Sequence, residues 1–317
     1  MPLTPVISVV IPCYNHAHFL PEALDSIGPS ARVTEVVVVD DGSTDAVADV
    51  VDAWARRSRM AVRFIRQSNA GLAAARNRGL RESVGRYVVF LDADDRLAPG
   101  ALDCGAAALD ERPDCFFVFG RCQMMSADGT LLPTPAQPRI ARDHYRELLR
   151  RNYIWMPAMV MFRREAVELA GGFNSAVNAS ADYELYLHVA RHHPVCDHAQ
   201  LVAYYRKHAD NMSGNASRML SETLAVLRAQ RAFLAGDEAS LDAYREGWRT
   251  WQEHYGTHLV NEIRAHVAGG EWQLAMRKAV TLAHYHPRGL VHHAAQKLRV
   301  TLKSRTLRLK PEATARR

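Results

Sequence analysis

Short apolar runs rich in β-branched residues alternate with helix-like segments in the N-terminal third of the chain, and this alternation limits the possible folds most strongly. The runs cover residues 6–11, 35–39, 62–65 and 87–91. Uninterrupted apolar runs of this length are typical of parallel strands that are buried on both faces and joined by crossover helices. The sequence therefore predicts an α/β fold with a Rossmann-type open, mostly parallel sheet flanked by helices.

The pattern changes along the rest of the chain. Residues 116–119 and 159–162 have the composition of strands, and residues 181–191 have apolar positions at helical spacing. Helical periods dominate the remainder of the sequence. We therefore expect an α/β domain over residues 1–213 and a helical C-terminal region, ending in a basic tail, over residues 214–317.

Basic charge is concentrated at the C-terminal end. The formal net charge of the chain is +6, but residues 288–317 alone hold nine Lys and Arg residues and one Glu. Since the rest of the chain is slightly acidic and this tail lacks aromatic residues, nucleic-acid binding is not expected. Leu290, Ala294, Leu298 and Leu302 share one helical face, which predicts a basic amphipathic helix for peripheral contact with an anionic membrane. A solvated, frayed helix is the alternative.

The cysteine pattern indicates a reducing compartment. The chain has five cysteines, an odd number, and they are widely spaced with no CxxC motif. This spacing argues against a disulfide framework or a zinc site. Because we find neither a signal peptide nor an apolar stretch long enough to span a bilayer, we expect a cytoplasmic protein, which would be peripheral at the inner face of the membrane if its basic tail binds lipid.

Carboxylates follow two of the predicted strands. Asp40 and Asp41 follow the second strand, and Asp92, Asp94 and Asp95 follow the fourth. In open α/β sheets ligands bind beyond the carboxyl ends of the strands. Because alternate residues of an extended chain project to the same side, Asp92 and Asp94 can face one ligand. Crowded carboxylates repel unless a cation is present, so we expect Mg²⁺ or Mn²⁺ with phosphate oxygens here.

Each acidic turn also has a purely structural interpretation. Asp40 and Asp41 enter a turn in which Ser43 or Thr44 can cap the following helix. An acidic cap for the helix that starts near residue 99 accounts for one of the later aspartates but not for all three. The helix that begins near Gly71 carries Arg76, which can balance phosphate charge or contact a base.

Four segments together resemble the inverting family-2 nucleotide-sugar glycosyltransferases of the GT-A fold. They are residues 9–15, 38–45, 69–77 and 91–95, in the order and spacing of that family. The resemblance implies that Asp41 accepts the N3–H of a nucleobase and that Asp94 binds the metal, which is Mn²⁺ or Mg²⁺. It implies donor contacts from the residues Pro12, Tyr14, Asp41, Asn69, Arg76, Asp92 and Ala93.

The resemblance continues more weakly in residues 171–185 and 205–213. It implies that Asp182 is the catalytic base, although the acidic residue that usually precedes the base is replaced by Ala181. Glu184 is the second candidate for the base. The resemblance also implies that His208 contacts the metal or the diphosphate.

The resemblance thus implies a metal-dependent enzyme that transfers a sugar with inversion. The donor would be a nucleoside-diphosphate sugar, with UDP-sugars as the first expectation, and the acceptor a hydroxyl of a saccharide or lipid-linked glycan. Two other functions remain open. One is magnesium-dependent phosphoryl transfer on an acidic α/β sheet, and the other is a non-catalytic nucleotide- or sugar-binding protein, which the alanine at position 181 suggests.

Overall fold

The computed structural model describes residues 6–287 except residues 29, 31 and 33. The strands of this part form one mixed sheet. They are β1 (Ile7–Cys13), β2 (Thr34–Asp40), β3 (Ala61–Arg66), β4 (Tyr87–Phe90), β5 (Arg96–Leu97), β6 (Phe117–Ser126), β7 (Val160–Arg163) and β8 (Val195–Lys207). Their order in the sheet is β3-β2-β1-β4-β7-β6-β8-β5.

Helices connect the strands and continue beyond the sheet. They are α1 (Leu20–Ser26), α2 (Val47–Arg57), α3 (Leu72–Glu82), α4 (Ala101–Glu111), α5 (His144–Arg150), α6 (Arg164–Leu169), α7 (Ala181–His192), α8 (Ala216–Gln230), α9 (Glu238–Ala268) and α10 (Trp272–Tyr285). The strands β1, β2 and β4 are buried along their whole length, as their apolar runs predict.

Helix α3 packs closely on the parallel half of the sheet because one of its residues is glycine. A Cβ atom on Gly79 would lie 2.2 Å from Cγ1 of Val10 in β1. This distance is far inside van der Waals contact, so any larger residue would push the helix away from the sheet. At the other end of α3, the N–H of Gly71 donates to Asp41 and holds the start of the helix beside the end of β2.

The second half of the sheet brings the chain back to the end of β4. Strand β7 lies antiparallel between β4 and β6, and β8 runs parallel to β6. The short strand β5, which directly follows Asp95, pairs antiparallel with β8 and places Arg96 opposite Tyr204. This pairing brings the end of β8 next to the acidic residues 92–95, although Asp95 and Arg206 are 111 residues apart in sequence.

The helices after residue 213 pack against the α/β domain. Helix α9 contacts α5 and α8, and α10 contacts α9 and α8. Apolar residues of α8 and α9 join the same buried cluster as the sheet. The domain boundary at residue 213 stays a prediction, and the basic tail of residues 288–317 lies outside the described part of the chain.

The predicted α/β fold and its first four strands are confirmed, as are the strands expected near residues 117 and 160 and the helix at residue 181. One pairing was not foreseen. Cys115 and Cys196 form a disulfide, with Cα atoms 6.2 Å apart. The spacing argument against disulfides is therefore wrong for this pair, because the two residues become neighbours only when β6 and β8 align.

None of the described helices combines the length and the apolar character needed to cross a bilayer.

Candidate functional site

A cavity of about 600 Å³ opens beyond the carboxyl ends of β1, β2 and β4. This is the position at which open α/β sheets bind ligands. Its lining includes seven of the residues expected from the sequence to bind donor or metal, which are Pro12, Tyr14, Asp41, Asn69, Asp92, Ala93 and Asp94. The three other expected residues do not line it. Arg76 and His208 contact the lining residues Asp92 and Asp94, and Asp182 interacts electrostatically with Arg76 and Asp92.

The loop after β1 is tied to the loop after β2. Asn15 has a φ of +54°, a left-handed conformation that asparagine tolerates better than most residues. Its backbone N–H donates to Oγ of Ser43 at 3.0 Å, and its side-chain oxygen accepts from the N–H of Thr44 at 2.8 Å. These hydrogen bonds fix one wall of the cavity next to the exposed ring of Tyr14.

Asp41 is held by several donors at the cavity edge. One carboxylate oxygen accepts from Nε2 of Gln67 at 2.7 Å and from the N–H of Ala70 at 2.9 Å, and the other accepts from the N–H of Gly71 at 2.8 Å. The next residue, Gly42, has a φ of +82°, and a Cβ atom there would lie 2.9 Å from the backbone nitrogen of Asn69. The carboxylate therefore has a fixed position and keeps unused acceptor capacity toward the cavity.

Asp92, which lines the cavity, forms an ion pair with Arg76. One guanidinium nitrogen lies 2.8 Å from each carboxylate oxygen. The side chain of Arg76 is only 3% exposed and lies 5.2 Å from the ring centroid of Phe173. Burial raises the pKa of Asp92, and Arg76 opposes this rise. Arg76 thus orients an acidic residue of the cavity, while its expected contact with the nucleobase stays a prediction.

Asp94 and His208 meet at the opposite side of the same acidic segment. Nε2 of His208 lies 2.9 Å from a carboxylate oxygen of Asp94. His16 also belongs to this cluster, since one potential ligand atom from each of the three residues lies within 4.8 Å of the others. A carboxylate and imidazole nitrogens are donors that divalent transition metals accept, so this donor set fits the expected metal.

Arg206 is a functional residue that the sequence analysis did not single out. It is completely buried, and its Nε donates to the backbone oxygen of Asp94 at 2.7 Å. Its own N–H donates to Asp95 at 2.8 Å, and its guanidinium reaches Glu22 of α1 at 2.7 Å. A single side chain therefore fixes the acidic segment against two other elements. Nothing local in the sequence marks it, because one of the residues that it binds, Glu22, is 184 positions away in sequence.

Asp182 lies in the first turn of α7 and interacts electrostatically with the ion pair of Asp92 and Arg76. Burial raises the pKa of Asp182 to about 6, Arg76 opposes this rise, and Asp92 adds to it. Glu184 faces another way, since its carboxylate accepts from Asn174 at 3.0 Å in a separate depression. Of the two candidate bases, Asp182 is thus the one adjacent to the acidic segment.

Family comparison agrees with this geometry. The sequence model described as Glycosyl transferase family 2 matches residues 8–170, which is half of the chain and contains the cavity loops after β1, β2 and β4. The chain belongs to glycosyl transferase family 2. The family expected from the sequence is thereby confirmed.

Relatives with similar sequences carry glycosyltransferase names. The chain is 35% identical over 130 residues to TuaG of Bacillus subtilis, named as a teichuronic acid biosynthesis glycosyltransferase, covering 40% of this chain and 51% of TuaG. It is 30% identical over 218 residues to the chondroitin synthase of Escherichia coli, covering 66% of this chain and 30% of the synthase. The chain thus spans about half or less of the length of these relatives.

Solved structures share the fold at low sequence identity. TarS 1–349 of S. aureus in complex with UDP-GlcNAc has a TM-score of 0.64 and 18% identity, covering 89% of this chain and 82% of TarS 1–349. The mannosyltransferase PcManGT of Pyrobaculum calidifontis, in complex with GDP-Man and Mn²⁺, has a TM-score of 0.61 and 22% identity, covering 94% of this chain and 88% of PcManGT. These similarities confirm the expected GT-A-like fold.

The buried ion pair predicts a large stability difference between two arginines of the same helix. Replacing Arg76 by Met leaves the carboxylate of Asp92, whose side chain is 23% exposed, without its partner, and we expect a loss of up to about 3–5 kcal/mol in the free energy of unfolding. The control is Arg78→Met, because Arg78 is 44% exposed and pairs with Glu82 on the surface. Its loss should be about 0–1 kcal/mol. Urea unfolding measures both, and equal small losses would contradict the structural role of Arg76.

Proposed function

We propose that this chain transfers a sugar from a nucleoside-diphosphate donor to a hydroxyl group of a saccharide or lipid-linked glycan, with inversion at the anomeric carbon. The observation that carries the proposal is the joint occurrence of three groups that line one cavity or interact with its lining residues. They are the fixed carboxylate of Asp41, the pair of Asp94 and His208, and the carboxylate of Asp182 with its raised pKa.

The nucleoside part of the donor binds between the loops after β1 and β2. Asp41 accepts a hydrogen bond from the N3–H of the base, and Pro12, Tyr14 and Asn69 line the same part of the cavity. Uracil offers such an N–H group, so a UDP-sugar is the first candidate. The complex of TarS with UDP-GlcNAc supports this choice, whereas the complex of PcManGT with GDP-Man makes GDP-sugars the main competitor.

The diphosphate part of the donor binds near Asp94 and His208. These two residues are suited to hold Mn²⁺ or Mg²⁺, which would neutralise the charge that develops on the leaving nucleoside diphosphate. Asp92 and Ala93 form the adjacent cavity surface, where the ribose and the donor sugar contact the protein. Arg76 orients Asp92 for that contact, because one of its guanidinium nitrogens donates to both carboxylate oxygens.

Asp182 acts as the general base. Its carboxylate removes the proton from the acceptor hydroxyl while that oxygen attacks the anomeric carbon from the face opposite the diphosphate. Attack from that face inverts the anomeric configuration. A pKa of about 6 leaves the carboxylate ionised at neutral pH and makes it more basic than an ordinary aspartate. Relatives named for teichuronic acid biosynthesis and chondroitin synthesis support a saccharide acceptor.

We also propose that the protein works at a membrane surface, where a lipid-linked acceptor is available. Helix α10 exposes Trp272, Met276 and Val280, which are spaced by four residues and so lie on one face. This apolar face directly precedes the basic tail of residues 288–317. An apolar helix face that includes a tryptophan and is followed in sequence by a cationic segment is suited to the interface of an anionic bilayer.

Nucleotide binding provides the first test. UDP and dTDP, whose bases both offer an N3–H, should raise the melting temperature in the presence of Mn²⁺ more than GDP, CDP or ADP, and the effect of UDP should shrink without Mn²⁺. At a ligand concentration of about 100 times Kd, stabilisation amounts to about 2.7 kcal/mol. Differential scanning fluorimetry of the full chain measures the ranking. No shift with any nucleotide would contradict the proposed donor site.

The base assignment predicts a loss of turnover without a loss of donor binding. Asp182→Asn should lower kcat by about 10²–10⁴-fold, because the amide cannot accept the proton. In the unchanged protein kcat/KM should fall about tenfold per pH unit below about pH 6, since protonation inactivates the base. The control Glu184→Gln should keep most of the activity. Normal turnover of Asp182→Asn would show that the base is another group.

The membrane contact predicts weaker binding to anionic vesicles after two separate changes. The first variant has serine at positions 272, 276 and 280 and so lacks the apolar face. The second variant lacks residues 288–317 and so loses basic charges, each of which contributes about 1 kcal/mol to binding near an anionic surface. Co-sedimentation with vesicles containing phosphatidylglycerol measures both. Leu169→Ser is the control, because Leu169 is equally exposed but lies in α6. Undiminished sedimentation of both variants would exclude this surface.

A further inference from the structure

His16 is the member of the metal-like cluster that neither the sequence motifs nor the proposed mechanism uses. It lies three residues beyond the end of β1 and is only partly exposed. One of its ring nitrogens lies within 4.8 Å of the potential ligand atoms of Asp94 and His208. The rings of His16 and His208 meet edge to face, with centroids 5.6 Å apart and an interplanar angle of 83°.

The backbone on both sides of His16 is anchored. Before it, the left-handed residue Asn15 is fixed by the hydrogen bonds to Ser43 and Thr44 described above. After it, the N–H of Ala17 donates to a carboxylate oxygen of Asp45 at 2.8 Å. The turn itself is closed by the carbonyl of His16, which accepts from two following N–H groups. These hydrogen bonds therefore fix the backbone that carries the imidazole beside Asp94.

The ring nitrogens of His16 remain available for a ligand. Among the described residues the imidazole has ring contacts with His18, Phe19 and His208 but no side-chain hydrogen bond. Phe19 also packs on His208, with ring centroids 5.0 Å apart, so an apolar ring supports both imidazoles on one side. The imidazole of His16 thus has no hydrogen-bond partner in the described residues and lies near a carboxylate and a second imidazole. Such a set of ligand atoms is typical of a transition-metal site.

We infer that His16 is a third protein ligand of the metal, and that it makes this site selective for Mn²⁺ over Mg²⁺. The inference rests on the proposed function for the role of the ion. Two imidazoles and one carboxylate favour transition-metal ions, whereas Mg²⁺ prefers oxygen ligands and retains its water. Three converging ligands also mean that the protein binds Mn²⁺ before any nucleotide arrives, with the remaining coordination positions left for phosphate oxygens.

Direct metal titration tests this inference without measuring turnover. The electron paramagnetic resonance signal of free Mn²⁺ reports binding to the full chain in the absence of nucleotide, and Mg²⁺ is added as the competitor. Loss of a residue that only hydrogen-bonds to a metal ligand lowers metal affinity about 10–100-fold. We therefore expect His16→Asn, which removes a ligand, to weaken Mn²⁺ binding at least about tenfold. His16→Asp, which offers an oxygen, should shift the preference toward Mg²⁺.

His18→Asn is the matched control, because His18 lies in the same loop but outside the cluster. It should bind Mn²⁺ like the unchanged protein. Melting curves first establish that His16→Asn and His18→Asn are folded. If His16→Asn then binds Mn²⁺ as tightly as the unchanged protein, the inference is overturned and the proposed function stays intact. Absence of Mn²⁺ binding in the unchanged protein, even with UDP present, would instead contradict the metal dependence of the proposed function.

Discussion

Three carboxylates at the end of one buried strand, Asp92, Asp94 and Asp95, impose the constraint on which the rest of the site depends. Negative charges so close together repel, and burial removes the water that would stabilise them. Burial and the charges of Asp94 and Asp92 raise the pKa of Asp95 well above its usual range. The protein compensates with two buried arginines from distant segments, Arg76 in α3 and Arg206 in β8.

The two arginines leave one carboxylate directed at the cavity. Arg76 binds both oxygens of Asp92, and the backbone N–H of Arg206 binds the carboxylate of Asp95. At Asp94, the guanidinium of Arg206 binds the backbone oxygen and not the carboxylate. The Asp94 side chain therefore faces imidazole groups instead of a permanent cation. Asp94 is thus the position of the acidic segment where a bound ion can supply the missing positive charge.

Local patterns predicted the parts of the structure that depend on local physics. The apolar runs marked β1 to β4, and the abrupt change from apolar to acidic residues marked the cavity edge at Asp41 and Asp92. The remaining features depend on long-range register. The pairing of β5 with β8 brings Arg206 and His208 to the acidic segment, and that register is not encoded in the composition of either strand. The cluster at His16 and the disulfide near β6 escaped prediction for the same reason.

Arg76 connects the two halves of the proposed reaction. On the donor side it fixes Asp92, and on the acceptor side its charge opposes the burial that raises the pKa of Asp182. Without that charge, burial and the nearby carboxylate of Asp92 would raise the pKa further, and more of the base would be protonated at neutral pH. The ion pair of Arg76 with Asp92 thus couples the orientation of a carboxylate of the donor site to the fraction of the base that is ionised.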